Sequence, residues 1–216
     1  MEALIIGHSF IRRLQAEHFP THAANITTRP NARLLAKSLD LTDYYSGIYT
    51  VCHKVNTVKS LSSVIAEIKN IVAKVNINII LLDLGSNDLA QLANVSPRLC
   101  LKLAEIITDF ALTLRKKFCK GVIIHSVVPR TRRLAASPPV FTSNLKLYNN
   151  FVKQFLATEQ TEKFVKLKGF YPSGCPALHT SVAEWSGDGI HCTTKEGRHR
   201  YTARVRHSLL YHHHLG

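Results

Sequence analysis

The stretch that most constrains the fold is Ile77 to Leu84, a nearly continuous apolar run of strand length. A short run of this kind, bounded by turn residues, forms a strand, and one without polar alternation has to be covered on both faces. That is the condition of a strand inside a parallel sheet. Upstream of it, Val58, Leu61, Ile65, Ile68, Val72 and Val75 recur at steps of three and four, which predicts an amphipathic helix that Asn76 suits as an end. Downstream, Gly85-Ser86-Asn87-Asp88 forms a loop at the strand's C-terminal end. Pro97 then opens a helix whose expected buried stripe is Leu99, Leu103, Ile106, Phe110 and Leu114.

The rest of the chain repeats this alternation. Leu4, Ile5 and Ile6 form a short buried strand running into Gly7, which permits a sharp turn. Phe10, Ile11 and Leu14 then make the apolar face of a helix that points Arg12 and Arg13 outward and runs out near His18 to Pro20. Residues 20–46 carry weak signals: a strand end or loop at Thr27 to Pro30, and a helical turn from Ala32 to Leu39. Further strands are expected at Ile48–Val51, Val122–Val128 and Phe164–Leu167. A loop reaches Pro139, and Leu145, Tyr148, Val152 and Phe155 mark another long helix. Gly169 to Asp188 is irregular, and Thr193 with Glu196 reads as the capping box of a last helix ending near Tyr211.

Alternating strands and helices predict an α/β fold: three layers, a parallel sheet of about five strands and helices on both faces. One domain is expected to span residues 1–216. In such folds the site lies beyond the C-terminal ends of the strands. That rule brings Ser9, Asn87, Asp188 and His191 to one edge.

Charge and cysteine content narrow the setting. Lys and Arg number 28 against 14 Asp and Glu, a net charge of +14. This excess suggests a polyanionic neighbour, either nucleic acid or an anionic membrane surface. Positive charge concentrates at Arg115-Lys116-Lys117-Lys120, at Arg130, Arg132 and Arg133, and at Arg198-Arg200-Arg204-Arg206. Neither a zinc-finger pattern, a Walker loop nor an RNP-type aromatic motif accompanies them. The 5 cysteines lack C-x-x-C spacing and read as free thiols of a reducing compartment. With no signal peptide and no transmembrane segment in view, the expected location is intracellular, cytoplasmic or nuclear. Oligomeric state is left open.

The chemistry-bearing residues each have a plain structural reading. Ser9 suits a helix cap, Gly85-Ser86-Asn87-Asp88 is ordinary turn chemistry, and His8 and His125 read as structural or solvent-exposed. Their joint order says more. A serine follows the first strand, an asparagine follows a middle strand, and Asp188 and His191 stand three apart before the last helix. A serine hydroxyl needs a base beside it and an orienting group behind that base. Asn87 supplies an amide donor of the kind that stabilises an oxyanion.

With those blocks in hand, the chain resembles the SGNH (GDSL-like) hydrolase superfamily. Gly7-His8-Ser9-Phe10 looks like its first block, Gly85-Ser86-Asn87-Asp88 like its third and Asp188-Gly189-Ile190-His191 like its fifth. Val127-Val128-Pro129-Arg130 is also similar to sequences in that family. The resemblance implies a flavodoxin-like sheet and hydrolysis of an ester or O-acetyl group, without a metal or organic cofactor. By it, Ser9 is the nucleophile, His191 the base and Asp188 its orienter, with Ser9, Asn87 and Gly85 forming the oxyanion hole. His8, Arg130, Arg132 and Arg133 are candidate contacts to the substrate or to a polyanion.

Two positions depart from the family pattern. His8 stands where the family carries aspartate, and Cys52-His53-Lys54-Val55-Asn56 lacks the second-block glycine, for which Gly47 is the nearest substitute. The GHSF variant with a basic surface also resembles SGNH-like domains carried in animal retroelements. The alternative is therefore a catalytically weakened SGNH-fold module that binds nucleic acid or another polyanion.

Overall fold

The computed structural model describes residues 1–18, 25–52, 57–127, 135–158, 165–168, 188 and 194–213. Five strands form one parallel sheet: β1 (Glu2–Gly7), β2 (Gly47–Val51), β3 (Ile77–Asp83), β4 (Gly121–His125) and β5 (Val165–Lys168), in the order β2-β1-β3-β4-β5. This is the flavodoxin-like order, with its switch point between β1 and β3. Every residue of β1, β2 and β4 is buried. Burial of both alternating side-chain sets requires cover on both faces of the sheet.

The helices that supply this cover are α1 (Ser9–His18), α2 (Arg29–Ser38), α3 (Leu61–Val72, after a 3₁₀ turn at Val58–Ser60), α4 (Ser86–Ala90), α5 (Pro97–Lys117), α6 (Pro138–Thr158) and α7 (Lys195–His213). In α1, Phe10, Ile11 and Leu14 are buried while Arg12 and Arg13 are exposed, as the spacing predicts. The first strand, Leu4 to Ile6, is fully enclosed, and each such aliphatic side chain contributes about 1.5–3 kcal/mol by leaving water.

Local signals misplace several elements. Pro30 does not end a strand but sits in the first turn of α2, where the missing N–H removes no helical bond. That helix stops at Asp40, whose φ of 54° is left-handed, with Leu41 N–H reaching back to Ala36 O at 2.9 Å. In α5 the buried stripe is Cys100, Leu103, Ala104, Ile107, Phe110, Ala111 and Leu114. Leu99 is instead 52% exposed, because small residues at 104 and 111 let the helix roll that face onto its neighbours. Helix α6 presents Leu145, Tyr148 and Val152 as expected, and Leu156 in place of the half-buried Phe155. Strand β4 ends at His125, and residue 128 lies outside the described residues.

Candidate active site

Strand β1 delivers Ser9. Gly7 pairs with Asp83 across the β1–β3 ladder, and a Cβ at Gly7 would collide with Ile11 Cγ1 and stand 3.1 Å from Asp83 O. Gly7 is therefore required by close approach; it is not among the positive-φ residues, so a left-handed turn is not the reason. Arg12 N–H donates to His8 O at 3.1 Å. This makes His8 the cap residue and Ser9 the first helical residue, so the reading of Ser9 as the cap is set aside. The Ser9 side chain is half-buried at the positive end of the α1 dipole. His8 Nδ1 lies 3.3 Å from Ser9 Oγ.

Strand β3 delivers Asn87. Its continuation turns at Gly85, where φ is +91°, a left-handed value that any side chain would strain. Helix α4 follows at once, with Asn87 half-buried in its first turn. Asp88 Oδ1 accepts Val58 N–H at 3.1 Å and so ties α4 to the segment leading into α3. Burial pushes the Asp88 carboxyl above its ordinary range, against the backbone hydrogen bonds that lower it. Because β1 and β3 are paired neighbours, Ser9 and Asn87 project from the same edge of the sheet.

Beneath that edge lies a buried polar cluster that periodicity did not reveal. Asp83 Oδ2 accepts a hydrogen bond from the phenolic hydroxyl of Tyr201 and stands 3.9 Å from His125 Nδ1. His125 Nε2 meets Ser208 Oγ at 2.9 Å, and Arg204, only 8% exposed, donates to Ser126 O at 2.7 Å. Burial pushes the His125 imidazole down to about 4, with the Arg204 cation adding to it and Asp83 opposing, so His125 is neutral near pH 7. Burial alone would raise the Asp83 carboxyl. The neighbouring His125, with His8 and Arg204 behind it, outweighs burial and holds Asp83 below the usual carboxylate range. The cluster joins the ends of β3 and β4 to α7. The signal that could have revealed it is an acid and a histidine at the ends of otherwise apolar strands, since a buried polar group needs a partner.

The remaining expected site residues divide. Asp188 Oδ2 is 3.4 Å from Arg13 Nη2, on the helix that begins with Ser9. His191, Arg130, Arg132, Arg133 and residues 53–56 of the second block lie outside the described residues. Gly47 opens β2 opposite Glu2, at the N-terminal edge of the sheet. It is therefore at the wrong end to complete an oxyanion hole. His8 is 1% exposed, which does not fit the polyanion contact expected of it. In the 198–206 cluster Arg204 is buried and Arg206 pairs with Asp40 at 2.6 Å, so this cluster is not one continuous cationic surface. The helix cap is Thr194, whose hydroxyl accepts Gly197 N–H at 3.0 Å; Thr193 lies outside the described residues. Among the described residues no group of three His, Cys, Asp or Glu could hold a metal ion, and no helix is long and apolar enough to cross a membrane.

Solved structures share this architecture over nearly the whole chain. A GDSL-like lipase from Bacteroides thetaiotaomicron superposes with a TM-score of 0.60 at 14% identity, over 97% of this chain and 88% of that one. An acetylxylan esterase from Geobacillus stearothermophilus superposes with a TM-score of 0.61 at 16% identity, over 96% and 93%. Structures of that esterase include catalytic mutants in which a serine or an aspartate is replaced by alanine. No protein-family profile matches the chain, and no curated protein matches it in sequence. At these identities the shared property is the fold, which is that of the SGNH (GDSL-like) hydrolases.

Proposed function

We propose that this chain, built on the SGNH hydrolase fold, is a serine hydrolase that cleaves an ester or O-acetyl group through an acyl-enzyme. The observation that carries the reading is the shared edge of β1 and β3, from which Ser9 projects as the first residue of α1 and Asn87 from the first turn of α4. The esterase and lipase neighbours, and the serine and aspartate of the acetylxylan esterase's catalytic mutants, support it by fold analogy.

In this mechanism His191 takes the Ser9 hydroxyl proton while Oγ forms a bond to the carbonyl carbon. Asn87 and the Ser9 N–H, with Gly85 shaping the turn, stabilise the resulting oxyanion. The proton then passes to the leaving alcohol as its bond to the carbonyl carbon breaks. Water, deprotonated by the same imidazole, releases the acid. Asp188 orients His191, and Arg13 anchors the Asp188 segment to α1.

Labelling with a fluorophosphonate tests the nucleophile directly. One covalent adduct per chain is expected, located on Ser9 by peptide mass and absent from Ser9→Ala. An adduct elsewhere, or none in the folded wild type, contradicts the assignment. The polyanion-binding alternative has less behind it, because of the four arginines in the 198–206 cluster Arg204 is buried and Arg206 is paired at the surface with Asp40.

A further inference from the structure

One residue of the first block has no role in that mechanism. His8 is enclosed, its Nδ1 stands 3.3 Å from Ser9 Oγ, and the Asp83 carboxylate acts on it electrostatically. Its ring meets Phe10 edge-on, with centroids 5.8 Å apart and planes at 62°. Phe10 packs in turn on Tyr201, centroids 5.4 Å apart, and Tyr201 donates to Asp83. A buried ring braced in this way keeps its orientation, and Nδ1 becomes a fixed point beside the serine.

We propose that His8 is a positioning residue for the nucleophile, its Nδ1–H donating to Ser9 Oγ and holding the hydroxyl in the rotamer that faces the cleft. The inference rests on the reading of Ser9 as nucleophile. A serine oxygen has two lone pairs and one proton. His8 engages one lone pair and leaves the O–H for His191 and the second lone pair for attack. The donor role needs the ring proton on Nδ1, the nitrogen that faces Ser9 Oγ, which leaves Nε2 as the unprotonated nitrogen of the neutral ring. No proton leaves His8 during turnover: the Ser9 proton goes to His191, and the His8 bond only holds the oxygen in place. Orientation of this kind acts on the chemical step rather than on ground-state binding, so its loss appears in kcat.

The test uses the full chain, p-nitrophenyl acetate turnover and the rate of fluorophosphonate labelling, for wild type, His8→Asn, His8→Gln, His8→Leu and Ser9→Ala. Asparagine carries an amide N–H near the Nδ1 position, glutamine moves it outward, and leucine removes it. The expected result is near-wild-type behaviour for His8→Asn, with roughly tenfold losses in kcat and labelling rate and an unchanged KM for His8→Gln and His8→Leu. A His8→Leu protein as fast as wild type overturns the inference, as does a His8→Asn protein as slow as His8→Leu. If His8→Leu does not fold, the Asn and Gln pair decides alone, and equal rates in the two overturn the proposal. If the His8 series is flat while Ser9→Ala is inactive, only the His8 role is lost. If Ser9→Ala turns over like wild type, the nucleophile assignment fails and the His8 role falls with it.

Discussion

Asp83 and His125 make opposite choices of charge in the same buried cluster, and both choices tie stability to pH. His125 titrates at 6.5 in the unfolded chain and at about 4 in the folded one. Between those values the unfolded state binds a proton that the native state does not, so stability is complete above 6.5 and falls as pH drops toward 4. The full span corresponds to about 3 kcal/mol. Asp83, held below the ordinary carboxylate range, adds a further loss as the pH falls below about 4. Urea midpoints measured from pH 7 down to 4.5 should decline for wild type and decline less steeply for His125→Asn. Tyr201→Phe removes the hydroxyl that donates to the buried Asp83 and should cost about 1.5–3 kcal/mol in chemical denaturation. At the reacting end, Asn87→Ala should lower kcat roughly a hundredfold or more while leaving the thermal midpoint nearly unchanged.

At the scale of elements, the site depends on two turns and one long helix. Gly85 reverses direction after β3 with a φ of +91°, and its missing Cβ leaves room for Ile107 Cδ1 at 3.2 Å. Gly85→Ala should therefore destabilise the protein by about 1–2 kcal/mol from the left-handed backbone alone, read as a lower thermal midpoint. Helix α7 carries Tyr201, Arg204 and Ser208 to the strand ends and is capped by Thr194. Thr194→Ala should cost about 1 kcal/mol. Strand positions were legible in the sequence because short, nearly continuous apolar runs such as Ile77 to Leu82 favour a strand covered on both faces. The polar cluster was not, since Asp83 and Tyr201 are 118 residues apart and only the folded chain brings them together. The α5 stripe was half legible. Leu103, Phe110 and Leu114 are inside, but alanines at 104 and 111 chose the facing angle by being small, which a search for large apolar residues overlooks.

For the whole molecule, strand–helix alternation predicted the parallel sheet, and the order β2-β1-β3-β4-β5 then follows from a chain that moves first to one side of β1 and afterwards to the other. That order makes β1 and β3 neighbours and turns two motifs about 80 residues apart into one edge. The net charge of +14 was a weaker guide. Charge counts do not distinguish a surface arginine from Arg204, which is enclosed and serves the cluster under the site. The central claim is that Ser9 is a catalytic nucleophile. Its most direct test is steady-state hydrolysis of p-nitrophenyl acetate by the wild-type protein and by Ser9→Ala, with folding of both checked by circular dichroism. The account predicts turnover in the wild type and a loss of roughly ten-thousandfold or more in the variant. Equal rates from two folded proteins would contradict it.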